Sequence, residues 1–215
     1  MESHRTTDSI LQGRRATRLR GLAGLALVAG WLGLAAYGSV RTLAYAMTPG
    51  RVAEAPPAWP RDSALPAPDG RSPLLLVFLH PQCPCSRATL AELARLLSES
   101  AAVPRVLAVV LAPRAAADGW LDTDVVRTAR TLSGVAIHAD EGGSEARRFG
   151  ARVSGDTRLY SAEGALLFAG GLTAGRGHEG LAPGRVAVRD VLAGRVPARD
   201  HAPAFGCALQ EGEAP

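Results

Sequence analysis

The chain has 215 residues, 47% of them hydrophobic, and a formal charge of +4, enough for one ordinary domain with appendages. All 24 basic residues are arginine, and neither lysine nor asparagine occurs. So uniform a bias belongs to composition; with 5% aromatics and no arginine run interleaved with aromatic rings, the footprint of a nucleic-acid binder is missing.

The first feature is a basic flank, "GRRATRLR", in which Arg14, Arg15, Arg18 and Arg20 precede the uncharged run "GLAGLALVAGWLGLAAYGSV", Gly21 to Val40. At 1.5 Å per residue a helix of this run spans about 30 Å, the thickness of a bilayer's hydrocarbon core. No polar face is left for solvent, as a soluble helix would need. The run is longer than a signal-peptide core of about 7–15 residues, and the small-residue pattern around Ala44–Ala46 makes a poor cleavage site. The expectation is an uncleaved single-pass anchor of the cell membrane over residues 21–46, with Arg41 at its outer end. The positive flank predicts a cytoplasmic N-terminal tail (1–20) and a periplasmic C-terminal domain. Residues 47–72, rich in proline, read as a semi-rigid linker that lifts the domain off the membrane.

From Leu74 the pattern changes. "LLLVFLH" (74–80) is a strand buried on both faces. "SRATLAELARLLSES" (86–100) carries Leu90, Leu93, Leu96 and Leu97 at helical spacing. "RVLAVVL" (105–111) is a second buried strand. A helix near 122–132, a strand over 135–139 and a short helix over 143–150 follow. "DTRLYSAEGALLFAGG" (156–171) reads as a hairpin turning at Glu163 and Gly164, and 184–194 as a last helix. Alternating strands and helices predict an α/β domain over 73–194, with a central mixed sheet flanked by helices. The tail, 195–215, is polar apart from Ala204, Phe205, Ala208 and Leu209, which surround Cys207 and need somewhere to bury.

Two of the three cysteines lie in "LHPQCPCSR" (79–87), between the first strand and the first helix. Pro84 suits the first helical position, since it lacks an N–H and its φ is already helical. Cys83 is then the N-cap, with its sulfur near the free N–H groups of Cys85 and Ser86 and the positive end of the helix dipole. That setting favours a thiolate, so Cys83 is the expected nucleophile. Cys85 lies about 200° further round the helix and points away. A Cys83–Cys85 disulfide would be strained and easily reduced. The resolving thiol is therefore either Cys85 or Cys207, and an odd count of three leaves one thiol outside any pair. A tail that docks would bring Cys207 toward the Cys83–Cys85 turn.

This arrangement resembles the thioredoxin superfamily, in particular its membrane-anchored extracytoplasmic thiol–disulfide proteins of RedB type. The resemblance covers about residues 72–193. It rests on the strand–motif–helix order, the step from Phe78 to Cys83, and the "LYSAEGALLFAGG" hairpin. In that family the motif is Cys-x-x-Cys: its first cysteine falls on Cys83 and its second on Ser86, with Cys85 between. The family's proline before the third core strand falls near Ser154 and Gly155, where no proline stands. The resemblance implies a thioredoxin-like fold and a thiol–disulfide oxidoreductase that acts on protein or small thiol and disulfide substrates, without an organic cofactor. A second reading is a copper-binding or delivery module, in which Cys83 and Cys85 are soft ligands for Cu(I), joined by His80 or Cys207. A third is a scaffold that binds a partner and does no chemistry. Among the other histidines, His138 reads as structural and His201 carries little information. His178 lies in the glycine-rich loop "GGLTAGRGHEG", which lacks the ending of a phosphate cradle.

Overall fold

A computed structural model of the chain describes residues 3–51, 53–100 and 102–210, with side chains from Gly21 onward. The side chains of the basic flank, Arg14, Arg15, Arg18 and Arg20, therefore lie outside the described residues. The chain divides into two units, Met1–Tyr45 and Ala46–Pro215. The first is built from α1, a helix over Ser3–Met47 that no proline interrupts. Its stretch Gly21–Met47 has a mean hydropathy of 1.6 and is long and apolar enough to cross a membrane. A signal sequence meets the same criterion. Leu25, Leu27, Trp31 and Leu34 on this stretch are all exposed.

The second unit runs β1 (Leu74–Leu79), α2 (Pro84–Glu99), β2 (Arg105–Ala112), α3 (Asp124–Thr131), β3 (Val135–Glu141), α4 (Ser144–Arg148), β4 (Asp156–Tyr160), β5 (Leu166–Gly171) and α5 (Pro183–Leu192). The strands form one sheet in the order β3-β2-β1-β4-β5. β1 and β2 are parallel, as are β2 and β3; β4 is antiparallel to both β1 and β5. This mixed sheet flanked by helices is what the alternating pattern predicts, and it is the thioredoxin-like fold that the resemblance implies.

β1 is central and buried at all six positions, which requires cover on both faces. Leu75, Val77 and Leu79 point to one face. There Leu90, Leu93 and Leu96 of α2 meet Val125, Val126 and Ala129 of α3 and Ala187, Val188 and Leu192 of α5. The 3.6-residue period of those leucines turns one stripe of α2 inward. Leu74, Leu76 and Phe78 point to the other face, with Leu107, Val109 and Tyr160. That face has only one short helix, the five residues of α4, which is too little cover for a sheet of this width.

The missing cover comes from two segments, one that the sequence suggests is detached and one whose apolar residues call for docking. The proline-rich segment does not stand off as a spacer. Leu65 is buried in the second core, and Trp59 packs edge-on against Phe149 and Tyr160, with ring centroids 5.0 and 5.3 Å away. Trp59 N–H donates to Gly164 O (2.8 Å), and the Tyr160 hydroxyl donates to Pro56 O (3.0 Å). Proline excludes this segment from a helix or a central strand, but a stiff extended chain can still lie on a sheet face. The C-terminal tail does likewise: Phe205 and Leu209 are 6% and 2% exposed.

Candidate active site

β1 ends at Leu79, and the chain turns through His80 to Gln82 into α2. Cys83 N–H donates to His80 O (3.1 Å), and Gln82 N–H donates to His80 Nδ1 (3.1 Å). Cys83 takes the N-cap position in extended conformation, with Pro84 at the first helical position. Its sulfur makes no directed capping hydrogen bond. The N–H groups of Cys85 and Ser86 nevertheless lie close enough to favour its charged form, because a thiolate accepts from less well aligned donors than a neutral thiol does.

Ser86, where the thioredoxin pattern would place its second cysteine, is fully buried and belongs to a closed ring of hydrogen bonds. His80 N–H donates to Ser154 Oγ (2.9 Å), and the Ser86 hydroxyl donates to His80 O (3.0 Å). The hydroxyls of Ser86 and Ser154 lie 2.7 Å apart. With the Ser86 proton spent on His80 O, Ser154 is the donor between them, and every member is satisfied. Gly155 N–H donates to Phe78 O (2.7 Å) and extends the seam along β1. The segment that carries Ser154 is fixed from beneath. The buried Arg158 guanidinium donates to both oxygens of Asp156 (2.5 and 3.0 Å), to Phe149 O (3.0 Å) and to Gly150 O (2.8 Å).

The tail lies along this segment. Ala208 bridges Val153 in antiparallel fashion, Ser154 N–H donates to Cys207 O (2.8 Å), and Leu209 N–H donates to Arg152 O (2.9 Å). A Cβ on Gly206 would stand 1.9 Å from Ser154 O, so only glycine allows so close an approach. This docking brings the Cys207 thiol and N–H to the Cys83 sulfur. Among the sequence-predicted residues, Cys83, Cys85 and Cys207 thus meet at the N-terminus of α2, all three as free thiols.

Their protonation is uneven. Burial pushes the Cys83 thiol up, but hydrogen bonds from the Cys207 thiol and N–H and from the N–H groups of Cys85 and Ser86 outweigh it. The net result is a thiol more acidic than usual. Burial and the neighbouring Cys83 charge raise Cys85, against the opposing pull of Arg176 and of Gly177 N–H. Cys207 is pushed up to about 12 by burial, by its hydrogen bond to Cys83 and by the charges on Cys83 and Cys85. Of the three thiols Cys83 is therefore the one that ionises first, with Cys207 as its proton-bearing donor. Cys83 is also 1% exposed, so its acidity does not make it accessible while the tail is docked.

His80, the expected helper or metal ligand, has Nδ1 engaged by Gln82 N–H, and its ring stands edge-on to Trp120 with centroids 6.0 Å apart. Burial lowers its pKa, so the ring is neutral. Among the described residues no three His, Cys, Asp or Glu side chains are arranged to hold a metal ion; the set Cys83, Cys85 and His80 is not gathered into such a cluster. The His178 ring nitrogen pairs with Arg176 O (2.9 Å) and shapes its own loop. His138 lies in β3 and pairs across to Val109 of β2. His201 is exposed beside Asp200, 2.8 Å away. Sequence reasoning missed the Ser86–Ser154 ring and Arg176. The one available signal for Ser154 is its place before Gly155, where the thioredoxin pattern carries proline.

No protein-family model matches the sequence, and no curated protein matches it significantly. Two solved structures share its fold, and a third is similar over a shorter stretch. A protein of Sinorhizobium meliloti described as hypothetical is 22% identical, over 67% of this chain and 83% of that one, with a TM-score of 0.53. An uncharacterized conserved protein from Geobacillus kaustophilus is 18% identical, over 78% of this chain and 95% of that one, with a TM-score of 0.52. A secreted disulfide oxidoreductase of Mycobacterium tuberculosis is 19% identical, over 46% and 68% of the two chains, at a TM-score of 0.36. At these identities the likeness is one of fold. The chain carries a mixed α/β domain of thioredoxin-like fold whose motif helix starts at a cysteine and whose C-terminal tail lies beside it with another.

Proposed function

We propose that the chain is a membrane-anchored thiol–disulfide oxidoreductase that works outside the cytoplasm, with Cys83 and Cys207 as its redox pair. The observation that carries this reading is the docking of the tail on Val153 and Ser154, which sets Cys207 beside the turn where Cys83 opens α2. The helix N-terminus, with the N–H groups of Cys85 and Ser86, stabilises the nucleophilic form of Cys83. The apolar stretch Gly21–Met47 supports the anchor, and the arginine flank before it supports an external domain.

With the tail displaced, the Cys83 thiolate attacks one sulfur of a substrate disulfide. A mixed disulfide forms, and one substrate sulfur leaves as thiolate. The returning tail brings Cys207, which gives up its proton and attacks Cys83 Sγ. The Cys83–Cys207 disulfide forms, and the second substrate sulfur leaves and takes a proton. Two electrons pass from the protein dithiol to the substrate. Run in reverse, the same steps oxidise a substrate dithiol. Substrates are proteins or small molecules that bear a thiol or disulfide, and no resident cofactor is required.

Single cysteine-to-serine variants of the full chain in detergent test this. Cys83→Ser should abolish reduction of a model disulfide, Cys207→Ser should accumulate the mixed disulfide, and Cys85→Ser should retain turnover. Loss of turnover in Cys85→Ser with full turnover in Cys207→Ser would sink the assignment.

A further inference from the structure

Between β5 and α5 the loop of residues 172–182 passes beside the three sulfurs. Glu92 of α2, fully buried, accepts from Gly180 N–H (2.7 Å) and forms an ionic contact with Arg185 of α5, Nε to Oε2 2.7 Å. That contact lies off the N–H axis, so it acts as charge pairing more than as a directed hydrogen bond. The loop is thereby tied to the same helix that begins at Cys83. Near its centre Arg176 is 9% exposed. Its Nη1 donates to Gly206 O, the carbonyl immediately before Cys207. The next residue, Gly177, presents its N–H to the Cys85 sulfur.

We infer that Arg176 is a positioning residue for the exchange: it holds the tail carbonyl at Gly206 and keeps a fixed positive charge beside the sulfur that must ionise in the resolving step. This rests on the reading of Cys83 and Cys207 as the redox pair. The titratable groups at the site are Cys83 and Cys85 from α2, Cys207 from the tail, and Arg176 and His178 from the loop, with His80 at the end of β1.

The physical need arises in the second half of the reaction. In the dithiol Cys83 is the first sulfur to take a negative charge, and Cys207 holds its proton tightly. Once Cys83 is in a mixed disulfide that charge is gone, but burial still disfavours a thiolate on Cys207. The guanidinium, whose charge lowers the Cys207 pKa, offsets the burial. Charge moves from one sulfur to another around a cation that stays in place. An arginine remains charged throughout this range and can hold a carbonyl at the same time.

The test uses the full chain in detergent, with Cys85→Ser to leave two thiols and an aromatic disulfide, 5,5′-dithiobis(2-nitrobenzoate), as probe. Attack by Cys83 releases one equivalent of the coloured thiolate, and resolution by Cys207 releases the second along with a proton. Arg176→Gln, which frees the tail carbonyl, should leave the first phase at least as fast, slow the second at least about tenfold at neutral pH, and move its pH midpoint up by about one unit, the shift equivalent to tenfold. Arg176→Lys, which restores the charge without the planar fork, should return the midpoint. Equal slowing in both variants with an unmoved midpoint would mean a merely structural role and overturns the inference, as does an unchanged second phase. If Arg176→Gln does not fold, Arg176→Met, which keeps an apolar stem without the charge, decides: a midpoint raised by about one unit supports the inference, and an unmoved midpoint overturns it. The parent reading fails separately, if the unsubstituted Arg176 protein releases no second equivalent or if Cys207→Ser still releases it.

Discussion

Replacing Phe205 by alanine should expose Cys83 without touching any cysteine. Phe205 is 6% exposed and, with Leu209, supplies the apolar part of the tail's contact with the domain. Burial of a phenylalanine side chain stabilises by about 1.5–3 kcal/mol. The tail can undock instead of leaving a cavity, so the loss falls on the docking equilibrium. At 1.4 kcal/mol per tenfold, the undocked fraction should rise roughly 10- to 100-fold. Cys83 is 1% exposed while the tail is docked, so its modification tracks that fraction. The assay is the rate of iodoacetamide labelling at Cys83, read by peptide mass spectrometry on the reduced full chain with Cys85→Ser. Phe205→Ala should label Cys83 roughly 10 to 100 times faster than the protein that retains Phe205. Gly206→Ala should act in the same direction, because its Cβ would collide with Ser154 O at 1.9 Å. Equal labelling rates with and without Phe205 would show that the tail is not what covers Cys83.

Four further expectations follow from the site and the anchor. In Phe205→Ala, labelling of Cys83 should level off below the ordinary thiol value of 9.0, since the N–H groups of Cys85 and Ser86 stay beside it when the tail leaves and the burial that opposes them is relieved, while labelling of Cys207 in protein with a docked tail should still climb at pH 10. The sign for docking follows from Cys207: its pKa is raised by docking, so the tail is held fully below pH 9.0 and loses stability as pH rises toward about 12. Tail release detected by Cys83 labelling should therefore grow over that window, and a tail that tightens there contradicts the assignment. Ser154→Ala leaves His80 N–H and the Ser86 hydroxyl without their buried partner, at a cost of about 1–3 kcal/mol; thermal unfolding should fall by about 2–10 °C, and an unchanged midpoint would argue against the ring. An alkaline phosphatase fused after Pro215 should be active under the proposed topology, in which the arginine flank stays inside and the domain lies outside; activity only of a cytoplasmic reporter would reverse that topology.

The parts of the molecule that were legible in the sequence are those governed by short-range pattern. The uninterrupted run Leu74–Leu79 announces a central strand, the leucines from Leu90 to Leu96 announce the helix face, and Pro84 places Cys83 at the cap. Phe205 and Leu209, apolar in a polar tail, pointed to docking. What stayed hidden depends on long-range bookkeeping. Trp59 and Leu65 look like incidental apolar residues in a proline-rich spacer until the sheet is built and α4 proves too short to cover its second face. Ser86 and Ser154 are 68 residues apart, and no spacing rule joins two serines over that distance. Arg176 is one of 24 basic residues in a glycine-rich loop, and only the fold shows it reaching Gly206. The sequence also spoke for the acidity of Cys83 but not for its burial, since the cover comes from a segment more than 100 residues away.

Disulfide mapping tests the Cys83–Cys207 pairing most directly. The full chain in detergent is oxidised by a small disulfide, its remaining thiols are alkylated, and the digest is sequenced by mass spectrometry. The account predicts a cross-linked pair of peptides that joins Cys83 to Cys207, with the alkyl label on Cys85. A Cys83–Cys85 link with Cys207 fully alkylated would contradict it.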